Sequence, residues 1–322
     1  MSFSTDIKNE ILSNTIENEC CKIAYLTGLI KTISQLNLKQ GKVYLEFNSD
    51  NMALLENINN HINTIYGKSG EIQQDTETVL KKNQRYVLTL DNPTTISLLK
   101  DCDLMNNQNE IKAIDHNLTY TLSNECCKRW FIIGVFLGCA TTNIVLKSIN
   151  PQVKHSGGYH LEFVLSNQKT ALQMVDLLDE INIKAKNTIR KKQYIVYIKE
   201  AEQVSDMLAY VGASNSVVAL QNEITIRQVR NAVNRQNNCM SGNINKTIDA
   251  AMRQIESIQI IEEKIGITSL DDDLAELCLL RLANPDEPLV NLIKLYSKPI
   301  SKSGINYRFS KIENIALSLL DI

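Results

Sequence analysis

A short segment near the end of the chain is rich in cationic and hydrogen-bonding side chains, which are the types suited to contact phosphates and the edges of bases. It carries four cations, with no acid before Glu313, and four further groups that can form hydrogen bonds: Lys298, Lys302, Arg308, Lys311, Ser301, Ser303, Asn306 and Tyr307. Lysine usually meets phosphates, whereas arginine and asparagine can form paired hydrogen bonds with base edges. This composition predicts contact with double-stranded DNA. A helix that binds a protein partner is the alternative that it leaves open.

The elements around this segment have the spacing of a helix-turn-helix. A helix that begins with three acids is predicted over residues 271–282, and Pro288 is followed by a short predicted helix over 289–296. A turn at 297–300 leads into a last helix, capped by Ser301 and extending to about residue 321. We expect 288–320 to be the helix-turn-helix, with 301–311 in the major groove. Lys298 and Lys302 would then meet phosphates, while Asn306 and Arg308 reach bases. Alternatively, Arg308 only pairs with Glu313 on its own helix.

A second polar region lies upstream and offers secondary candidates for DNA contact. We predict one helix from residue 214 to about 236 and another from 243, whose Ile244, Ile248, Ala251, Ile255 and Ile258 should face a core. The candidates are Arg227, Arg230, Asn234, Arg235 and Lys246. A solvated helix face explains these residues equally well.

The first two thirds of the chain contain a duplication. Glu19-Cys20-Cys21-Lys22 recurs 106 residues later as Glu125-Cys126-Cys127-Lys128, and Gly28 recurs as Gly134. Each copy, at about 19–104 and 125–212, follows the pattern α-β-β-α-β-β-α. We therefore predict an α+β chain: a duplicated domain over 1–212, a helical connector over 213–265, and an all-α helix-turn-helix domain over 266–322.

This topology, with a glycine inside an apolar first helix, resembles the LAGLIDADG homing endonucleases. The glycine lets two such helices approach closely at a pseudo-two-fold axis. In the active family an acidic residue ends each motif, and the pair holds a divalent metal. Here Ile33 and Cys139 stand at those positions, and magnesium prefers carboxylate oxygens. The resemblance therefore implies a domain that does not cleave DNA, with no catalytic residues.

Such a domain followed by a sigma-region-4-like helix-turn-helix resembles the WhiA family of sporulation and cell-division regulators over essentially the whole chain. The residues that carry the resemblance are Asn234-Arg235, Asn238-Cys239, Asn245-Lys246-Thr247, Arg281-Leu282 with Asn284-Pro285, and the segment 300–308. Tyr307 departs from the histidine usual in the family, and Met240-Ser241-Gly242 departs at a helix start. The resemblance implies a DNA-binding regulator acting in cell division or chromosome segregation, and we favour a transcription factor. A nucleoid-associated structural protein and, less favoured, a residual nuclease stay open.

Composition limits the remaining possibilities. A net charge of −2 argues against coating nucleic acid with the whole surface, but local clusters can still bind it. No apolar run is long enough for a bilayer, and residues 1–10 do not resemble a signal peptide, so a cytoplasmic protein at the nucleoid is expected. None of the eight cysteines forms a C-x-x-C pair. We interpret them as buried apolar thiols and expect no metal and no cofactor, because neighbouring helical residues point about 100° apart.

Overall fold

The structure is a computed structural model that describes residues 2–75, 84–112, 118, 121–144, 146 and 158–320. Its chain divides into two compact units, Met1–Ile226 and Arg227–Ile322. In the described residues, no helix combines the length and the apolar character needed to cross a bilayer. The parts of the predicted hairpins that fall at 76–80 and 147–157 lie outside the described residues.

The first unit contains the duplicated pattern that the sequence predicts. A helix that the sequence reading did not identify, Phe3–Leu12 (α1), precedes it. The first copy consists of Glu19–Ile33 (α2), Ser34–Lys39 (β1), Lys42–Ser49 (β2), Met52–Tyr66 (α3), Glu71–Gln74 (β3), Tyr86–Leu90 (β4) and Asn92–Asp101 (α4). The second consists of Glu125–Cys139 (α5), Ala140–Thr142 (β5), Leu161–Leu165 (β6), Gln168–Glu180 (α6), Lys186–Arg190 (β7), Gln193–Ile198 (β8) and Ala201–Tyr210 (α7). The α-β-β-α-β-β-α prediction is confirmed for both copies.

Each copy forms a four-stranded antiparallel sheet, ordered β1-β2-β4-β3 in the first and β5-β6-β8-β7 in the second. The hairpin between β1 and β2 turns at Gln40 and Gly41, which both have positive φ, as a two-residue type I′ turn requires. Buried Leu45 and Phe47 point from β2 into the core. The apolar helices thus pack against the inner faces of these two sheets.

The helices α2 and α5 cross at the two glycines of the repeat. A Cβ at Gly28 would lie 2.9 Å from the Val135 backbone nitrogen, and it would also collide with the Phe131 carbonyl oxygen. A Cβ at Gly134 would lie 3.3 Å from the Cα of Gly28 and would collide with the Tyr25 carbonyl oxygen. Because these neighbours are backbone atoms, they cannot move aside as a side chain can. The predicted close approach at Gly28 and Gly134 is therefore confirmed.

The predicted break between two connector helices is wrong. Ser214–Lys264 (α8) is one continuous helix of 51 residues. The sequence Asn-Asn-Cys-Met-Ser-Gly at 237–242 suggested a break, but it contains no proline. A single interior glycine costs only about 1 kcal/mol relative to alanine, so a long helix can tolerate it.

Two residues of the predicted apolar stripe on α8 also differ from expectation. Ile258 and Ala251 are buried, as predicted, but Ile244 is 57% exposed and Ile248 is 49% exposed. The spacing identified one face of the helix correctly. It could not show how far along the helix the packed partners extend.

The second unit ends in three helices, Asp272–Ala283 (α9), Leu289–Leu295 (α10) and Lys302–Leu320 (α11). Their bounds follow the sequence prediction closely. The buried side chains Leu277, Leu292, Ile305 and Phe309 form its core, together with Ile258 from the end of α8. This core packs α10 and α11 together, in the order and spacing predicted for a helix-turn-helix.

Candidate nucleic-acid interface

The beginning of α11 is fixed by a local cap and by a buried face. Ser301 acts as the cap: its Oγ accepts a hydrogen bond from the Gly304 backbone nitrogen at 3.1 Å, and its carbonyl oxygen accepts from Ile305 at 3.0 Å. Ile305 and Phe309 are buried below. The opposite side of the first two turns is therefore turned to solvent.

That solvent side carries the polar candidates of the sequence analysis. Lys302, Ser303 and Asn306 are exposed, and Tyr307 is exposed to 74%. Ser301 and Ser303 share a hydrogen bond of 3.0 Å between their hydroxyl groups. In the described part of the chain, Lys302 has no salt-bridge partner. This surface therefore presents a cation and several hydrogen-bonding groups to solvent.

The remaining cations of the segment are held by acids of α9 and its N-cap. Arg308 Nη2 donates to Asp273 Oδ2 at 2.7 Å, and Lys298 Nζ donates to Asp273 Oδ1 at 2.6 Å. Lys311 pairs with Asp271 at 3.2 Å. The Lys298 hydrogen bond is the largest of several contributions that lower the pKa of Asp273. The proposed alternative partner of Arg308, Glu313, is thus replaced by an acid from another helix.

Sequence reasoning missed two structural roles here. The acids of α9 were interpreted only as favourable charges at a helix N-terminus, although they also bind the cations of the turn and of α11. Arg281 is buried and joins several segments: its guanidinium donates to Gln254 Oε1 at 3.0 Å and to the Glu287 carbonyl oxygen at 2.8 Å, and it lies 5.4 Å from the centre of the Phe309 ring. Acids placed 25 to 40 residues before the cations of the turn and of α11 are a weak signal for such pairing.

The secondary candidates lie along α8. Arg230, Asn234, Arg235 and Lys246 are exposed, and Arg227 is half-buried. Helical spacing places Arg227, Arg230 and Asn234 along one side. Arg235 and Lys246 follow a line about 120° away from it, since each residue turns the helix by about 100°. The five residues therefore form two separate rows on this helix.

The two positions that hold acids in the active homing endonucleases lie here at the C-terminal ends of the neighbouring helices α2 and α5. Ile33 and Cys139 are the last residues of their helices. Burial raises the pKa of the Cys139 thiol to about 12, and its Sγ donates to the Val135 carbonyl oxygen at 3.3 Å. The nearby Lys8 is partly buried, and burial lowers its pKa. A neutral thiol and an adjacent cation are a poor environment for a magnesium ion.

A cavity of about 1290 Å³ opens beside these helix ends. Of the described residues that line it, Asp50 alone has a carboxylate, whereas Lys8 and Arg85 are cations. A two-metal or one-metal nuclease centre uses several oxygen ligands to hold its ions. The cavity has room for a ligand but lacks that donor set.

The N-terminal ends of the same helices are different. The Sγ atoms of Cys20, Cys21, Cys126 and Cys127 all lie within 4.8 Å of one another. The expectation that the cysteines are buried is correct for Cys21 and Cys127 but wrong for Cys20 and Cys126, which are exposed, and for Cys239 on α8. The spacing within each doublet gives no sign that the two doublets meet. The equal spacing of doublets and glycines in two helices that pair could have revealed it.

Three family models match the chain. The WhiA N-terminal LAGLIDADG-like domain matches residues 19–105, the WhiA LAGLIDADG-like domain matches 129–230, and the WhiA C-terminal HTH domain matches 233–316. Together they span most of the sequence, including both copies of the repeat and the last three helices.

Curated relatives and a solved structure match at full length. The probable cell division protein WhiA of Clostridium botulinum (strain Hall) is 34% identical over 319 residues, covering 98% of both chains. That of Clostridium acetobutylicum is 34% identical over 322 residues, covering 99% of this chain and 98% of the relative. The crystal structure of full-length DUF199/WhiA from Thermatoga maritima has a TM-score of 0.56 and 23% identity, covering 99% of each chain. This likeness supports the fold.

Proposed function

Because the chain belongs to the WhiA family, we propose that it is a non-catalytic regulator of cell division that binds double-stranded DNA through its C-terminal helix-turn-helix. The family's matched relatives are named probable cell division proteins, and the matched C-terminal model is an HTH domain. In the finer form of the proposal, the protein is a transcription factor that affects division and chromosome segregation from the nucleoid.

The observation that carries this proposal is the exposed polar side of α11. Lys302, Ser303, Asn306 and Tyr307 project from its first two turns, directly after the turn from α10. A helix that follows such a turn is the one that enters the major groove in helix-turn-helix proteins. Asparagine can pair with adenine there, and lysine binds phosphates.

Removing Lys302 tests whether α11 lies against DNA. Lys302→Ala should weaken binding to all duplexes and reduce the slope of log affinity against log salt by about one unit, since one phosphate contact is lost. The measurement is salt-titrated binding to a preferred duplex and to a scrambled duplex. Lys264→Ala removes an equal charge from the exposed last residue of α8, outside α10 and α11, and should leave the slope unchanged.

Replacing Arg308 tests whether α11 also recognises the base sequence of the DNA. We propose that Asp273 releases Arg308 when DNA binds, so that Arg308→Ala costs about 1–3 kcal/mol on the preferred duplex and relaxes its preference. Asp273→Asn should then raise affinity by up to about fivefold, because an ion pair that stays partly exposed, as this one does, is worth about 1 kcal/mol. If Arg308 only holds α11 on α9, Arg308→Ala will lower thermal stability and weaken all duplexes equally.

Parent-like binding by both Lys302→Ala and Arg308→Ala would exclude α11 as the reader. The row Arg227, Arg230 and Asn234 and the row Arg235 and Lys246 on α8 would then be the better candidates. Genome-wide binding combined with transcript levels in a deletion strain separates the two roles. A transcription factor changes transcripts near its sites, whereas a nucleoid-associated structural protein binds many sites without such changes.

A further inference from the structure

The two cysteine doublets meet at the N-terminal ends of the paired helices α2 and α5. All four sulfur atoms lie within 4.8 Å of one another, and the Sγ atoms of Cys126 and Cys127 are 4.0 Å apart. A tetrahedral zinc ion with Zn–S bonds of about 2.3 Å needs sulfurs about 3.8 Å apart. We propose that Cys20, Cys21, Cys126 and Cys127 bind one Zn²⁺ ion that joins the two helices.

The paired arrangement supplies the geometry that a single doublet lacks. Neighbouring helical residues point about 100° apart, so each doublet presents one inner and one outer sulfur. Cys21 and Cys127 are the inner pair, only 2% and 3% exposed, whereas Cys20 and Cys126 are exposed. Two inner and two outer sulfurs from the facing helices surround the point where the ion would bind. Because the outer pair is exposed, an ion can reach this point from solvent.

The helix ends also suit thiolate ligands electrostatically. The doublets occupy the second and third residues of α2 and α5, where backbone N–H groups lack intrahelical acceptors and the helix dipole favours negative charge. The N-cap side chains of Asn18 and Asn124 form no capping hydrogen bond. In α2 the Cys21 N–H already donates to the Asn18 carbonyl oxygen at 3.1 Å, so the N–H groups of the two residues before it are the ones placed to donate to sulfur, as outer hydrogen bonds do in metal sites.

The sulfur chemistry selects the ion. Thiolates are soft ligands that bind zinc and are poor ligands for magnesium. The cysteines of an iron–sulfur cluster bind different iron atoms and so lie further apart than ligands of one ion. Binding converts four thiols and one Zn²⁺ into a tetrathiolate complex of net charge −2 and releases four protons. No electron is transferred in this step.

This site is separate from the position where the nuclease relatives hold metal. That position corresponds to Ile33 and Cys139, at the opposite ends of α2 and α5. Twelve residues separate Cys21 from Ile33, which is about 18 Å along a helix. The zinc ion would act as a structural link between the two copies of the repeat.

Metal analysis and cobalt substitution test the site in the full chain. Protein purified under reducing conditions should contain one zinc per chain by elemental analysis. After the metal is removed, titration with Co²⁺ should give the visible d–d bands and the near-ultraviolet charge-transfer bands of a tetrahedral thiolate site. Zinc should then abolish these bands by displacement.

The exposed pair permits a variant that spares the core. Cys20→Ser with Cys126→Ser should lower Zn²⁺ affinity by more than about 100-fold, because even outer hydrogen-bond partners of metal ligands are worth 10–100-fold. Cys239→Ser, which removes another exposed cysteine, should bind metal like the parent. Circular dichroism verifies that both variants are folded.

Three results would overturn the proposal. The first is reduced, folded parent protein with neither stoichiometric zinc nor the cobalt bands. The second is parent-like affinity in the Cys20→Ser, Cys126→Ser variant. The third is mass-spectrometric detection of disulfides between the doublets after purification with reductant, which would assign the cluster to redox chemistry instead.

Discussion

The two ends of the paired helices α2 and α5 have opposite chemistry. Their C-terminal ends carry Ile33 and Cys139, with partly buried Lys8 nearby. Their N-terminal ends bring four cysteine sulfurs within 4.8 Å. Both ends belong to the same pair of helices, which cross at Gly28 and Gly134. Close packing of two helices creates positions that have room for an ion, while the residue types at each end decide whether an ion is bound there.

The largest expected effect comes from breaking the shared crossing. Gly28→Leu or Gly134→Leu should lower the free energy of unfolding by about 1–3 kcal/mol or more, because the added side chain meets backbone atoms of the facing helix. Both ends of the helix pair should be disturbed, so zinc binding should fall as well. Urea unfolding of the full chain, with zinc quantified in parallel, measures both effects.

Gly242→Leu is the matched control for that experiment. A Cβ at Gly242 has no neighbour within 4 Å, and leucine has the higher helix propensity. This variant should unfold like the parent or at slightly higher urea. If Gly28→Leu and Gly134→Leu also unfold like the parent, then the two helices do not meet at these glycines.

Removing metal should have an intermediate effect that is confined to the N-terminal ends. A chelator should lower the unfolding temperature, since an ion that binds only the folded chain stabilises it by about 2.7 kcal/mol at a free concentration 100 times its Kd. Differential scanning calorimetry with and without added zinc measures the change. The Cys20→Ser, Cys126→Ser variant should unfold at one temperature in both conditions. A zinc response in that variant would place the ion elsewhere.

The smallest expected effect is at the C-terminal ends, where no metal-dependent cleavage is expected. Supercoiled and linear DNA should stay intact with magnesium or manganese, since Asp50 is the one carboxylate among the described residues that line the adjacent cavity. Gel electrophoresis against a mock preparation measures this. Cleavage above the mock, abolished by a point change in the duplicated unit, would contradict the argument from Ile33 and Cys139.

The amino-acid sequence by itself determined the repeat and the helix-turn-helix, whereas the close approach of Gly28 and Gly134 was implied by the resemblance to the LAGLIDADG family. The repeat and the helix-turn-helix depend on periodic apolar residues and local caps, which act over a few residues and can be recognised in one dimension. The continuity of α8 was not recognised, because local signals for a helix break at 237–242 are only worth about 1 kcal/mol.

Tertiary structure alone decided which distant side chains meet. Cys20 and Cys126 are 106 residues apart in the sequence, and only the packing of α2 on α5 brings them together. Arg308 is 35 residues from Asp273, the acid that holds it, although Glu313 lies nearer along the chain. The physical reason is common to both: residue spacing fixes the direction of a side chain on its own helix, but its neighbours are set by how the helices pack.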